Sequence, residues 1–146
     1  MREDGQQDEI AAILARHSGR EGALLPILHD VQGAFGHVSE AAKRQIALAL
    51  NLSRAEVHGV VSFYHDFRSA PEALPIIKLC RAEACQARGS EALAPKMEVM
   101  AKGKVRVEAV YCLGLCSVGP NAMAQGEVYA HLDEAAVHEL IAGVSA

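Results

Sequence analysis

The sequence predicts an α+β protein: a small helical bundle over residues 1–72, followed by a mixed α/β domain over residues 73–146. Three observations predict it. Apolar residues recur at helical spacing through the first seventy or so positions. The period then changes to short apolar or alternating runs bounded by turn residues. Pro71 and Pro75 punctuate the change, and all four cysteines of the chain lie beyond it.

The helical half reads as four short helices. Ile10, Ile13 and Leu14 form one apolar stripe that ends near Gly19. Leu24, Ile27, Leu28, Val31 and Phe35 repeat at helical spacing, with Gly36 as the stop and Pro26 in the first turn, where a missing N–H costs little. Ser39 is placed to cap a third helix that runs to Leu50 and closes at Asn51. Ser53-Arg54-Ala55-Glu56 matches a capping box and opens a fourth helix, whose stripe of Val57, Val60, Val61 and Tyr64 is expected in the core. Phe63 and Phe67 fall on another face of that helix and are expected to be free to meet a partner subunit.

The second half changes character. Pro75-Ile76-Ile77-Lys78-Leu79-Cys80 reads as a buried strand that ends on the first cysteine. Ala87 to Met97 favours a helix. Residues 104–111 alternate and read as a second strand beside Cys112. Residues 122–125 and 127–131 flank Gly126 as a hairpin, and Asp133 caps a last helix carrying Ala136, Val137, Leu140 and Ile141. Strand, helix, strand, strand, strand, helix is the order of a thioredoxin-like α/β domain.

Composition narrows the function classes. The chain has 146 residues, a net charge of -4, three Tyr, three Phe and no Trp. No basic cluster stands out, which argues against nucleic acid as a partner. The N-terminus lacks the basic-then-apolar layout of a signal peptide, and no apolar run approaches the roughly eighteen residues that span a bilayer. A cytoplasmic protein is expected. Structural disulfides are rare in that compartment, so four cysteines point to metal or redox work.

Their spacing is C-x4-C at Cys80 and Cys85, then 26 residues, then C-x3-C at Cys112 and Cys116. Each pair follows an expected strand, so two loops at one end of neighbouring strands can gather four sulfurs. Soft thiolates suit iron–sulfur clusters, and four of them complete two tetrahedral irons. Gly114 lets the chain bend towards such a group without a Cβ clash, and Leu113 and Leu115 can limit water. Lys78, Arg81 and Arg88 are close in sequence to the first pair and would favour a reduced, more negative cluster. On spacing alone, iron–sulfur leads, while structural zinc and disulfides or buried thiols stay open.

C-x4-C followed by Cys112-Leu113-Gly114-Leu115-Cys116 and Gly119-Pro120 resembles the thioredoxin-like [2Fe-2S] ferredoxins, a family that includes the small iron–sulfur subunit of respiratory complex I and its relatives in NAD-linked formate dehydrogenases and hydrogenases. Residues 24–42 and 57–67 resemble the family's helical segments, so the likeness covers nearly the whole chain. It implies one [2Fe-2S] cluster held by Cys80, Cys85, Cys112 and Cys116. The stretch Cys80-Arg81-Ala82-Glu83-Ala84-Cys85-Gln86 and the short gap between the pairs are most similar to the gamma subunit of soluble NAD-dependent formate dehydrogenase.

That resemblance implies an electron-transfer subunit with no substrate-transforming residues of its own. Its partners would be a flavoprotein subunit carrying FMN and the NAD site and a subunit with the molybdenum cofactor that oxidises formate, the helical half acting as a docking module. The corresponding subunit of complex I or of an NAD-linked hydrogenase is the alternative, and a zinc-stabilised interaction module is the alternative of another class. The seven histidines show no metal-ligand pairing, and His58 and His65 stand too far apart for an i, i+4 site. No Ser-His-Asp order, Walker loop or G-x-G-x-x-G occurs, and neither cysteine pair is C-x-x-C.

Overall fold

The computed structural model describes residues 2–145 and divides into two compact units between Glu72 and Ala73. The first is all helical: α1 (Arg2–Arg16), α2 (Leu24–Phe35), α3 (Glu40–Leu50) and α4 (Arg54–Phe63). Local chemistry sets their ends. Gly36 takes the left-handed conformation at φ 74° and donates its N–H to the Gln32 carbonyl, closing α2. The Ser39 hydroxyl accepts from the Ala42 N–H at 3.1 Å, and Asn51 closes α3 in the left-handed region. At Ser53 the capping box is complete: its hydroxyl accepts from the Glu56 N–H at 3.1 Å, and Glu56 Oε2 accepts from the Ser53 N–H at 2.8 Å.

Ile10, Ile13, Ile27, Leu28, Val31, Ile46 and Val57 form the centre of this unit. Lys43 is only 3% exposed, and its burial is offset by pairing: its Nζ meets Glu40 and lies 3.3 Å from His58 Nδ1. His17 Nε2 lies 2.8 Å from Asp30 Oδ2 and holds that carboxyl below the usual carboxylate range.

The end of α4 departs from expectation. The helix stops at Phe63, because Tyr64 turns extended at ψ 105°. Tyr64 is therefore 42% exposed rather than in the core, and Phe67 is 8% exposed, packed on the His29 ring at 4.9 Å, rather than on an outer face. Gln32 fixes this return by donating to the Asp66 carbonyl at 2.5 Å and accepting from the Arg68 N–H at 2.7 Å. Phe63 does stand out, at 74% exposure.

The second unit runs β1 (Ile76–Cys80), α5 (Glu83–Ala87), α6 (Ser90–Ala101), β2 (Arg106–Val110), a 3-10 turn (Cys116–Val118), β3 (Ala122–Ala124), β4 (Glu127–Tyr129) and α7 (Glu134–Ser145). The sheet order is β2-β1-β3-β4. Strand β1 pairs parallel to β2, from Ile76 with Arg106 to Cys80 with Val110, and antiparallel to β3. Parallel neighbours require a crossover, which α5 and α6 supply. The β3–β4 hairpin turns on Gln125 and Gly126, both at positive φ, as a two-residue loop of the twist-compatible kind demands. Ile77, Leu79, Met97, Ala122, Val137 and Ile141 close the core between sheet and helices. The α+β class and the thioredoxin-like order of strands and helices along the chain are as the sequence predicts, with α5 as an added short helix.

The expected helix from Ala87 to Met97 starts later, at Ser90, and runs on to Ala101, and a short helix that the sequence reading did not anticipate, α5, precedes it. Helix α5 ends at Ala87, and Gly89, at φ 101°, lets α6 start in a new direction. Pro95 sits within α6. No helix among the described residues is long and apolar enough to cross a membrane.

The capping box at Ser53 generates a direct expectation. Ser53→Ala removes the hydroxyl and should destabilise the helical unit by about 1 kcal/mol, read as a lower denaturant midpoint at unchanged slope in a urea titration followed by circular dichroism.

Candidate metal centre

Strand register brings the cysteines together. Cys80 is the last residue of β1 and Val110 the last of β2, paired in register, so both chains leave the sheet at the same level. The Arg81 N–H donates to the Val110 carbonyl at 2.8 Å, which holds the two exits side by side. Two residues beyond Val110, Cys112 adopts φ 81°, unusual for a non-glycine residue, and its N–H points at Cys80 Sγ at 3.3 Å. This contact links the two pairs. Strained backbone of this kind persists where the surroundings over-determine it.

Within each pair the sulfurs face one another. Cys112 Sγ and Cys116 Sγ are 3.6 Å apart, and the Cys80 and Cys85 thiols are in hydrogen-bonding contact. Cys85 and Cys116 also feel each other electrostatically across the pairs. Among the described residues no three His, Cys, Asp or Glu side chains surround one ion-sized position; the sulfurs meet two by two. Cys80 and Cys85 are buried, whereas Cys112 and Cys116 are exposed.

Backbone donors favour thiolate at the inner position. Burial pushes the Cys80 thiol up, but the N–H groups of Ala82, Cys112 and Leu113, together with the Cys85 thiol, bring it below the ordinary thiol value. Burial, and then the neighbouring Cys80 sulfur, push Cys85 up. Contact with Cys112 raises Cys116. One thiolate thus disfavours the next, the electrostatics of a site completed by a cationic core.

Two glycines shape the cradle, for different reasons. A Cβ on Gly119 would lie 3.0 Å from Cys85 Sγ and 3.3 Å from Arg88 Cδ, so any side chain there would push the sulfur or the arginine stem by a few tenths of an ångström. A Cβ on Gly114 would meet nothing within 4 Å. Among protein atoms its freedom is conformational: φ is 78°, and its N–H points at Cys112 Sγ at 3.4 Å. Leu113 and Leu115, on either side of Gly114, are half-buried.

Asn121 is the residue that motif reading missed. It is fully buried, and its carbonyl accepts from the Cys80 N–H at 2.9 Å. Its N–H stabilises the Cys85 sulfur, and its Nδ2 donates to the Leu115 carbonyl at 2.9 Å. A single residue thereby ties the first cysteine strand, the first cysteine loop and the second cysteine loop together, while its Oδ1 has no hydrogen-bond partner. Its position just after Gly119-Pro120 was the only available signal.

The expected cationic surroundings divide. Arg81 grips Glu91 with both arms, Nε to Oε1 at 2.7 Å and Nη2 to Oε2 at 2.6 Å, so its charge is offset. Lys78 stands opposite Glu108 in the β1–β2 register. Four sulfurs in two facing pairs, N–H groups aimed at them and a glycine wall against one sulfur fit a binuclear iron–sulfur group by donor chemistry.

Comparison with known proteins agrees. The chain is 25% identical over 143 residues to the NADP-reducing hydrogenase subunit HndA of Solidesulfovibrio fructosivorans, covering 92% of this chain and 84% of that one. It is 29% identical over 138 residues to an NADH-quinone oxidoreductase subunit of Mycobacterium tuberculosis, covering 88% of this chain but only 55% of the relative. Against NADH-quinone oxidoreductase subunit 2 of Thermus thermophilus it is 28% identical over 155 residues, covering 98% of this chain and 86% of that one. A chain of the H2-reduced NAD+-reducing [NiFe]-hydrogenase has the same fold, with a TM-score of 0.69 at 24% identity over 84% of this chain and 22% of that one. The family of thioredoxin-like [2Fe-2S] ferredoxins matches residues 10–145, and with that match this chain belongs to the family.

Proposed function

We propose that this chain is the [2Fe-2S] electron-transfer subunit of a cytoplasmic, multi-subunit, NAD-linked oxidoreductase, and that Cys80, Cys85, Cys112 and Cys116 hold the cluster. The observation that carries this reading is the meeting of two cysteine pairs at the ends of β1 and β2, joined by the Cys112 N–H to Cys80 Sγ contact. When bound, such a cluster accepts or gives one electron at a time. The chain's own residues do the rest. Buried Cys80 and Cys85 anchor one side against the sheet, while exposed Cys112 and Cys116 present the other side to a neighbour. Backbone N–H groups at Cys112 and Gly114 steady the sulfurs, and half-buried Leu113 and Leu115 restrict water.

Nicotinamide chemistry moves two electrons as hydride, so a flavin must stand between it and a one-electron centre. A flavoprotein partner carrying FMN and the NAD site fits that need. The relatives named above favour an NADH-quinone oxidoreductase or an NAD(P)-linked hydrogenase as the parent complex. The formate dehydrogenase reading, with a molybdenum-containing partner, rests on Cys80 to Gln86 and the 26-residue gap alone. Residues 1–72 are proposed as the docking domain, a role supported by exposed Phe63 and Tyr64, and residues 73–146 as the cluster domain.

The chain purified without air should be red-brown, carry two irons and two sulfides, and give an EPR signal on reduction. A colourless protein with one zinc per chain would overturn the reading in favour of an interaction module. Each Cys→Ser variant replaces a soft thiolate with a harder oxygen and should lose most of its iron; full iron content in Cys112→Ser would remove it from the ligand set. Gly119→Ala should lower cluster content by crowding Cys85 Sγ. Gly114→Ala meets no atom but carries a left-handed φ, so its effect should be smaller. A larger loss at Gly114 than at Gly119, by iron analysis, would reverse that order.

A further inference from the structure

Resting on the cluster reading above, we infer that Arg88 is the cation that sets the reduction potential of this site, and that Arg81, although adjacent to a cysteine, contributes little. Arg88 lies three residues after Cys85, at the end of α5. Its N–H donates to the Cys85 carbonyl at 3.1 Å, which ties its backbone to the ligand's own. Helix α5 has only five residues, and the left-handed Gly89 turns the chain away immediately afterwards, so Arg88 stays at the cysteine loop instead of continuing along a helix.

The side chain is held on the same side. The point where a Gly119 Cβ would sit is 3.0 Å from Cys85 Sγ and 3.3 Å from Arg88 Cδ, so the sulfur and the arginine stem face one gap. Beyond it, Arg88 borders a small surface hollow with Gly89, Ala92, Pro120 and Asp133. Two carboxylates line that hollow, and both are engaged: Asp133 Oδ1 accepts from the Ala136 N–H at 2.8 Å, and Glu134 pairs with Lys96. Among the described residues Arg88 has no ion-pair partner. Arg81 differs in this respect: the two-pronged pair with Glu91 makes it half of a neutral unit.

A [2Fe-2S] site held by four thiolates gains one negative charge on reduction. An uncompensated guanidinium on a stem that shares this gap with Cys85 Sγ stabilises the reduced state more than the oxidised one. A neutral pair does so far less, because its two fields oppose each other. Arg88 is exposed, so solvent and salt reduce the effect without abolishing it.

The test is a redox titration of the full-length chain, loaded with its cluster and followed by visible absorbance and EPR. Arg88→Met keeps the stem against Gly119 and removes the charge. It should shift the reduction equilibrium roughly three- to tenfold towards the oxidised form, where tenfold is 59 mV for one electron. Arg88→Lys should restore most of the difference, and raised salt should shrink it. The double substitution Arg81→Gln with Glu91→Gln removes both halves of the neutral pair and should leave the potential near that of the parent. A shift in Arg88→Met no larger than in that double variant, at equal iron content, overturns the inference while leaving the cluster reading intact. Loss of the cluster in both Arg88→Met and Arg88→Gln with retention in Arg88→Lys also overturns it, since Arg88 would then be needed for assembly. If the parent chain itself takes up no iron, the cluster reading fails first, and the two failures are separable.

Discussion

The parallel pairing of β1 with β2 is the constraint on which the rest of the site depends. Cysteines 26 residues apart can share a centre only if the segment between them returns in the same direction and stops at the same level. The register Cys80 with Val110 does that, and the Arg81 N–H to Val110 carbonyl bond extends the pairing one step past the strand. A slip of one residue would turn Ile77 and Leu79 out of the core, so burial of those two side chains protects the alignment of the sulfurs. Packing energy thereby fixes where the sulfurs stand without any cysteine having to supply it.

Given that alignment, local backbone chemistry completes the cradle. Cys112 and Gly114 both occupy the left-handed region, which aims successive N–H groups at sulfur. Asn121 spans the two loops from below, and Gly119 leaves room for Cys85 Sγ. The arrangement is asymmetric. One pair is closed in by the sheet and the other faces outwards.

Much of this was legible in the sequence where a residue acts on its own neighbours. Ser39, Ser53, Gly36 and Asn51 end or start helices through contacts a few residues away, so their roles follow from type and position. The strand that ends on Cys80, the hairpin about Gly126 and the spacing of the four cysteines were legible for the same reason. What was not legible depends on tertiary contact. Tyr64 and Phe67 exchange places because Gln32, more than thirty residues earlier, captures the backbone at Asp66 and Arg68. Arg81 is neutralised by Glu91, ten residues on in α6. Asn121 acts through three bonds to separated segments, two of them through its backbone, which no motif encodes. The glycine at 114 was legible, but its positive φ was not, since open space and permitted torsion look alike in one dimension.

The hydrophobic cluster that closes the second unit is built from aliphatic and methionine side chains, from Ile77 and Leu79 through Met97 to Val144, and includes none of the four cysteines. This bears on the order of events in the cell. A newly made chain can bury its sheet and helices before any iron arrives, unlike small domains whose only core is their metal. Folding of this unit is then separable from any loading of the proposed cluster, whose outer cysteines, Cys112 and Cys116, stand in solvent. A scaffold that matures this way can be produced ahead of its iron supply.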